Sequence, residues 1–252
     1  MKKLFLFLSV ITFGLTLSSC LGSGNSNFTE SSIVYIKQYN GIVYGRTLSG
    51  NAITSAKIKM MQPGTFKAFT YTWDEEYGFA DTGSENARIY NVVILGDAQD
   101  IDNRALTLQP VSENQGAAIK QIAGIQYDTN GAYLDDYMLF NYALEHKEGE
   151  KFDISFHLRE TEQESPETLT VDIRFNLVEE AKENAKEETT VDIIAVNMKY
   201  IRDNFLENKN SEVKIEFLYY NKIGEDSNPV KVQNAFTSST EFKMINSGDN
   251  NQ

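Results

Sequence analysis

The 252-residue chain contains one cysteine, Cys20, and only two histidines, His146 and His157. A single cysteine cannot form an intramolecular disulfide, and it cannot supply a zinc site built on several thiolates. The two histidines have no metal-binding spacing, so the sequence favours surface residues over metal ligands. The core must therefore hold together by side-chain packing, without covalent or metal cross-links.

Basic residues are also in deficit. The chain has 23 lysines and arginines against 36 aspartates and glutamates, which gives a formal net charge of −13. A surface this acidic repels phosphate groups, so nucleic acid is a poor partner and contact with anionic lipid headgroups is disfavoured. Apolar residues make up 41% of the sequence, an ordinary share that is sufficient for a packed core.

Sequence motifs for catalysis are lacking as well. The chain has no Gly-x-Ser-x-Gly sequence of the kind that presents a nucleophilic serine. Gly22-Ser23-Gly24 precedes no helical pattern, so it is not a phosphate-binding loop. We therefore expect no catalytic residues and no cofactor, and the sequence indicates a protein that is not an enzyme.

The one long apolar run, residues 4–17, stands at the N-terminus behind Lys2 and Lys3. It is too short to span a bilayer comfortably, and its layout is that of a secretory signal peptide over residues 1–19. Leu17-Ser18-Ser19-Cys20 resembles the bacterial lipobox. That resemblance implies cleavage before Cys20 and acylation of its thiol, with ordinary secretion or a retained anchor as the alternatives. The Gly/Ser/Asn-rich sequence that follows predicts a flexible tether over residues 20–31.

The first half of the mature chain reads as short β-strands. Asn40-Gly41 separates two segments rich in β-branched and aromatic residues, which predicts a hairpin with a type I′ turn. In residues 66–73, Phe69, Tyr71 and Trp73 alternate with threonines, the pattern of a half-buried strand. Six strands, predicted at 33–39, 42–47, 52–61, 66–73, 87–95 and 105–111, suggest a small barrel or sandwich.

The second half alternates more regularly. Residues 151–159 and 168–177 each place apolar side chains on one face and polar side chains on the other, as antiparallel sheets with one wet face do. The charged run 179–188 indicates a solvated loop, with a helical turn as the alternative. Further strands are predicted at 133–144, at the start of 191–206 before a short helical turn, at 212–220 and at 241–245. Glycines interrupt residues 113–131, where we expect the domain boundary.

This order of parts resembles the NigD-like lipoproteins of the Bacteroidetes. The likeness is carried by the lipobox, by the segment 64–71 (GTFKAFTY), by Val191-Asp192-Ile193 and by residues 213–220. The resemblance implies an all-β protein, with an OB-like β-barrel over residues 32–120 and an antiparallel β-sandwich over residues 121–252. The family has no established catalytic residues, so the resemblance assigns none here.

The residues around Cys20 also bear on localisation. Leu21 is not acidic, and by analogy with lipoprotein sorting this favours the outer membrane. The acidic run that marks surface export in the Bacteroidetes does not follow Cys20. We therefore expect a lipid-anchored protein on the periplasmic side of the outer membrane, with the cell surface as the alternative. The lipid itself would supply the contact with the membrane.

Two groups of carboxylates are weak candidates for a calcium site, because calcium prefers several oxygen ligands from loops. One group follows a predicted strand and comprises Asp97, Asp100 and Asp102 with Asn103; the other comprises Asp128, Asn130, Asp135 and Asp136. Neither has the spacing of an EF-hand loop. The simpler interpretation is a set of hydrogen-bonded turn residues, and we assign no metal.

Aromatic residues offer a possible binding surface for a sugar or a partner protein. Tyr71, Trp73 and Tyr77 are the main candidates, together with Tyr39 and Tyr44. Packing in the core or across strands is the competing interpretation. Three hypotheses remain: a non-catalytic module that binds an envelope protein, a carbohydrate-binding or carbohydrate-processing lipoprotein, and a structural subunit of an envelope or fimbrial assembly.

Overall fold

The computed structural model describes residues 27–81, 88–111, 117–127, 129, 133–160, 167–206, 211–222 and 228–246. The predicted signal peptide, Cys20, Asp128 and Asn130 lie outside these residues. The predicted tether of residues 20–31 overlaps the first strand, which begins at Phe28.

The protein is all-β, as the sequence predicts. The described residues form fifteen strands: β1 Phe28–Tyr39, β2 Ile42–Thr47, β3 Ala52–Thr54, β4 Phe66–Trp73, β5 Tyr90–Asn91, β6 Val93–Thr107, β7 Ile119–Tyr127, β8 Tyr137–Lys147, β9 Lys151–Leu158, β10 Thr168–Glu179, β11 Glu187–Asn197, β12 Glu212–Tyr220, β13 Pro229–Lys231, β14 Gln233–Asn234 and β15 Phe242–Ile245. One short helix, α1 at Lys199–Ile201, continues as a π-helical turn over Arg202–Leu206. Within the described ranges, no helix is long and apolar enough to cross a membrane.

The chain divides into two compact units, one ending at Asp102 and the other starting at Asn103. Strand β6 runs through this division. Its first part pairs with β4 in the first unit, and Leu106 and Thr107 pair with β9 in the second. The predicted boundary at 120/121 falls inside β7 instead, a strand that pairs with β8 and so belongs to the second unit.

The first unit is a mixed sheet in the order β6-β4-β1-β2-β3-β5. All neighbours are antiparallel except β3 and β5, which are parallel. The predicted hairpin between β1 and β2 is confirmed, with Asn40 and Gly41 both at positive φ, 48° and 80°. Among the described residues no ladder joins β5 to β6, so backbone pairing does not close this sheet into a barrel.

Strand β4 shows how the alternating pattern builds the core of this unit. Its bounds match the prediction, and Phe66, Phe69, Tyr71 and Trp73 are all buried. Phe69, Tyr71 and Trp73 pack with side chains from neighbouring parts of the unit, among them Val34, Ile36, Ile53, Ile58, Val92 and Ile94. Phe66 instead stacks on Tyr35, with 4.6 Å between ring centroids.

Three predicted strands differ from the observed ones, two of them in this unit. Residues 52–61 form only the short β3, and a 3-10 turn at Ile58–Met60 follows it. The predicted strands 87–95 and 105–111 reach the two ends of one long strand, β6, which includes residues 93–95 of the first and 105–107 of the second and continues between them. A bulge around Gly96, which has φ 78°, lets β6 continue, since Leu95 pairs with Thr70 and Gln99 already pairs with Ala68.

The second unit has two sets of paired strands. One contains β7, β8, β11 and β14, and the other contains β9, β10, β12, β13 and β15. The expectation of purely antiparallel pairing is wrong, because β10 and β12 are parallel, as are β7 and β14. The chain leaves β10, crosses to the other set as β11 and returns as β12, and such a crossover gives two strands in the same direction. Residues 119–127 form β7, in the glycine-interrupted stretch whose middle the sequence allows as either a short helix or a strand.

Phenylalanines join the two strand sets in the core of the second unit. The ring of Phe140, on β8, lies with its centroid 4.8 Å from Phe217 and 5.8 Å from Phe156. Phe242 contacts both Phe140 and Phe217. Each of these four side chains is fully buried or nearly so. Gly124 leaves room for the Phe242 ring, because a Cβ there would lie 2.6 Å from Phe242 Cε1.

Candidate functional site

A short turn after β4 carries two exposed aromatic residues, Tyr77 and Phe79, that lie close together in sequence. Asp74 begins this turn, and its side chain accepts a hydrogen bond from the Glu76 backbone N–H at 3.0 Å. Gly78 follows at a φ of 59°, a conformation that glycine adopts without steric cost. The turn then folds back along the chain, so that Phe79 forms a β-bridge with Tyr90.

Hydrogen bonds fix this turn against the sheet. Trp73 Nε1 donates to the Gly78 carbonyl at 3.4 Å, and Asn91 Nδ2 donates to the Tyr77 carbonyl at 2.9 Å. The Ala80 N–H donates to the Ile89 carbonyl at 2.8 Å. Because both ends of the turn are held in this way, its side chains are presented from a well-supported backbone.

Four rings pack together beside the turn; we call Phe28, Trp73, Phe79 and Tyr90 the aromatic cluster. Trp73 lies 5.2 Å from Tyr90 and 5.7 Å from Phe28 between ring centroids, and Phe79 lies 5.1 Å from Tyr90. Edge-to-face and tilted contacts at these separations stabilise aromatic pairs. Trp73 is buried, Phe28 and Tyr90 are half-buried, and Phe79 is 47% exposed. The cluster therefore joins the core to the surface.

The exposed part of this region has a defined composition. Tyr77 is 42% exposed, and the Arg88 guanidinium carbon lies 5.7 Å from the Phe79 ring centroid, within reach of a cation–π interaction. We call Tyr77, Phe79 and Arg88 the turn patch. Glu75, Glu76 and Asp81 are exposed on the same segment. The turn patch thus combines aromatic surface with charged groups of both signs.

The predicted aromatic surface is only partly realised. Tyr71 and Trp73 are buried in the core, so their rings are not available for stacking, whereas Tyr77 is exposed. Tyr44 is buried with Ala52 and Ile89. Tyr39 is exposed, but it stands at the tip of the β1–β2 hairpin.

Tyr71 has a structural hydrogen bond. Its hydroxyl donates to Glu30 Oε2 at 2.6 Å, while Ser49 Oγ donates to Glu30 Oε1 at 2.9 Å. Burial of the ring, and then the hydrogen bond to Glu30, raise the pKa of Tyr71 well above its usual value. A tyrosine kept neutral in this way suits a core position, not proton transfer near pH 7.

The first acidic group lies within strand β6, where a loop was predicted. Asp97 and Asp102 are exposed, and Asp100 forms an ion pair with Lys67 of β4. The paired strands hold the backbone extended, so these carboxylates line a sheet and do not wrap around one point. Among the described residues, no group of three or more His, Cys, Asp or Glu side chains could hold a metal ion.

The second acidic group does not form one site, because its described aspartates differ in burial. Asp135 is exposed, whereas Asp136 is buried and pairs with buried Arg202, with 2.5 Å between Oδ1 and Nε. Arg202 Nη1 also donates to the Ile245 carbonyl at 2.8 Å. The charge of the Asp136 carboxylate is thus balanced by Arg202, and the pair serves the fold.

The two histidines also serve local structure. His146 Nδ1 lies 2.9 Å from the Lys147 carbonyl, and its Nε2 lies 2.8 Å from Thr190 Oγ1. His157 Nδ1 lies 2.9 Å from the Gln109 carbonyl, and its Nε2 lies 2.9 Å from Ser155 Oγ. Each ring thus has both nitrogens in hydrogen bonds.

Phe28, Phe79, Arg88 and Tyr90 were missed as candidates. Phe28 lies in the predicted tether, and Phe79 lies in a stretch that reads as an acidic loop. The available signal was Gly78 between Tyr77 and Phe79, since glycine supplies the positive φ that a tight turn needs.

Comparison with solved structures places the fold. The chain is similar to an uncharacterised protein from Parabacteroides merdae ATCC 43184, with a TM-score of 0.57, 12% identity, and coverage of 85% of this chain and 95% of that one. It is also similar to a "Putative lipoprotein" from Bacteroides fragilis NCTC 9343, with a TM-score of 0.53, 12% identity, and coverage of 86% and 98%.

A third similar structure is a NigD-like immunity protein from Bacteroides caccae ATCC 43185, with a TM-score of 0.51, 13% identity, and coverage of 88% of this chain and 99% of that one. The predicted resemblance to the NigD-like proteins is thereby confirmed at the level of the fold. No protein-family model matches the sequence, and no curated protein matches it.

Proposed function

We propose that this protein is a lipid-anchored lipoprotein of the outer membrane, facing the periplasm, and that it acts as a non-catalytic binding module. The lipobox-like sequence ending at Cys20 supports the anchor. The similar fold of a Bacteroides fragilis protein that carries lipoprotein in its name supports it as well. The observation that carries the binding role is the turn patch, where exposed aromatic side chains stand on a backbone fixed by hydrogen bonds.

We also infer the finer architecture of each unit from its contacts. In the first, only Val92 separates β5 from β6 in the chain, and its N–H donates to the Thr54 carbonyl at 2.9 Å. The two ends of the sheet order are thus adjacent, which supports an OB-like barrel. In the second, the contacts of Phe140 with Phe156 and Phe217 support a β-sandwich.

A protein of the cell envelope is the partner class that the turn patch fits best. Binding hot spots are enriched in tryptophan, tyrosine and arginine, and they work best on surfaces that need little ordering. Tyr77, Phe79 and Arg88 provide aromatic and guanidinium groups, and the hydrogen bonds of the turn provide the support.

Affinity capture from envelope fractions tests this role. The full chain and its Tyr77→Ala/Phe79→Ala variant would be used as baits, with Tyr39→Ala as the matched control because Tyr39 is 58% exposed on the hairpin tip. We expect the same protein to be captured by the wild type and the control, and lost with the double variant. Equal capture by all three baits would rule out the turn patch as the contact surface.

A glycan is the second candidate partner. Exposed Tyr77 and Phe79 rings could stack on sugar faces, and Glu75, Glu76 and Asp81 are exposed on the same segment as potential hydroxyl partners. Screening of the same three proteins on a glycan array separates this candidate from the first. Retention of a glycan by the wild type and the Tyr39→Ala variant, with loss in the double variant, would favour the carbohydrate role.

The anchor has its own test. We expect the intact mass of the mature protein to correspond to a chain that begins at acylated Cys20. We also expect protection from added protease on intact cells. Rapid cleavage on intact cells would contradict the periplasmic orientation, and an unlipidated protein in the medium would contradict the anchor.

A further inference from the structure

The polar face of β10 in the second unit holds a buried arginine whose hydrogen-bonding capacity is not met. Arg174 is 6% exposed, and its Nε has no hydrogen-bond partner among the described residues. A buried donor without an acceptor costs about 1–3 kcal/mol. Arginine is moreover charged at every physiological pH, so it cannot reduce this cost by losing its proton.

The neighbours of Arg174 fix its position without neutralising it fully. The guanidinium carbon lies 4.0 Å from the ring centroid of Tyr220, a stacked arrangement. Among the described residues, the carboxylate contact of Arg174 is between its Nη2 and Asp172 Oδ1 at 4.0 Å, which is too long for a hydrogen bond. The planar fork of donors is therefore held in place by stacking.

Asp172 is already occupied by another cation. Arg159 binds it through two hydrogen bonds, Nε to Oδ2 at 2.6 Å and Nη2 to Oδ1 at 2.9 Å. Such a bidentate pair uses both carboxylate oxygens and neutralises one positive charge. The group of two arginines and one aspartate thus retains one net positive charge, next to the half-buried Tyr220.

Two further carboxylates among the described residues of the neighbouring strands β9 and β12 are also paired. Asp153 Oδ1 lies 3.4 Å from Arg104 Nη2, and Glu216 Oε1 lies 2.5 Å from Lys231 Nζ. The polar residues across from Asp172 and Arg174 on β9 are His157 and Ser155, which hydrogen-bond to each other. In a protein with a net charge of −13, a locally positive site of this kind is where an anion would be attracted.

We propose that Arg174, Arg159 and Tyr220 form a binding site for the oxyanion group of a ligand, a carboxylate or a phosphate. An oxyanion that accepts hydrogen bonds from Arg174 would satisfy the buried Nε and balance the remaining charge. Arg159, whose side chain is 47% exposed, forms the accessible edge of the site. This site belongs to the second unit and is independent of the turn patch and of the partner proposed for it.

The direct test follows the Arg174 Nε–H signal in proton–nitrogen NMR spectra of the wild-type protein. Sodium phosphate and sodium acetate would be titrated separately at constant ionic strength, with sodium chloride as the reference, so that phosphate and carboxylate chemistry are distinguished. We expect a saturating shift of this signal with at least one of the two oxyanions. A signal that does not respond to either beyond the chloride reference would overturn the proposal.

A variant provides the second readout. Arg174→Lys keeps the charge and removes the planar fork, so we expect anion affinity to fall about tenfold or more. Lys199→Met, which removes an exposed cation elsewhere in the same unit, should leave it unchanged. Equal affinity in wild type and Arg174→Lys would contradict the site. If Arg174→Lys does not fold, the wild-type titration still decides the matter.

Discussion

Arg202 and Asp136 form a buried ion pair, with 2.5 Å between Nε and Oδ1 and each side chain only 9% exposed. The same guanidinium donates to the carbonyls of Ile245 and Thr129. The pair therefore ties the segment before β8 to the π-helical turn and to the end of β15. An aspartate that reads as a weak metal candidate in the sequence is a structural element of the second unit.

Loss of one partner of this pair should be costly. We expect Asp136→Asn to lower the free energy of unfolding by about 3–5 kcal/mol, because it leaves the charge of Arg202 buried and unbalanced. Urea denaturation measures the change. Asp203→Asn, which breaks the exposed Lys199–Asp203 pair, is the control and should cost less than about 1 kcal/mol.

A double-mutant cycle tests whether the two groups act as a pair. The Asp136→Asn/Arg202→Met variant should lose less unfolding free energy than the two single variants lose when their changes are added. In the double variant neither group is left with an unmatched charge. Strict additivity of the three measured changes would show that the pair is not energetically coupled.

Gly124 should be essential for the packing of Phe242. Gly124→Ala places a Cβ 2.6 Å from a fully buried ring, so we expect a loss of about 1–3 kcal/mol in the free energy of unfolding. Thermal or urea denaturation measures it. A smaller side chain should partly restore the fit, and Gly124→Ala combined with Phe242→Leu should cost less than the two changes added together. Wild-type stability in Gly124→Ala would show that the ring can move.

Tyr71 should make the protein sensitive to alkaline pH. Its pKa is higher in the folded protein than in the unfolded chain, because burial and the Glu30 carboxylate disfavour the phenolate. The unfolded chain therefore loses this proton first, and stability that is fully present below about pH 10 is lost as the pH rises above that value.

The Tyr71→Phe variant isolates this contribution. We expect its unfolding free energy to fall less steeply above pH 10 than that of the wild type. At neutral pH the variant should lose about 1 kcal/mol with the hydrogen bond to Glu30. Chemical denaturation at a series of pH values provides both numbers, and identical pH profiles for the two proteins would contradict the assignment. Tyr219, whose pKa is also raised by burial, remains in both and does not affect the comparison.

Much of the fold could be predicted from the sequence because period-2 patterns record which side of a strand is buried. Strands β4, β9, β10 and β12 lie where the alternation places them. The pattern failed where local sequence does not decide pairing. β7 contains Gly124, which reads as an interruption, yet the absence of a side chain there is what allows Phe242 to pack.

The candidate site was harder to predict, because exposure depends on tertiary packing. Nothing in the local sequence separates Tyr71 and Trp73 from Tyr77, but only Tyr77 is exposed. Phe28, Trp73, Phe79 and Tyr90 come together from three separate segments of the first unit. The buried donor of Arg174 could not be predicted either, because its neighbours come from other strands. Arg159 directly follows β9, and Tyr220 ends β12.

Site-specific photo-crosslinking in living cells tests the proposed binding role most directly. A photoreactive phenylalanine analogue would replace Phe79 in one version of the lipidated full chain and Tyr39 in another. The proposed function predicts a discrete crosslinked adduct from position 79 and none from position 39. The absence of an adduct at position 79, or the same adduct from both positions, would contradict a binding role for the turn patch.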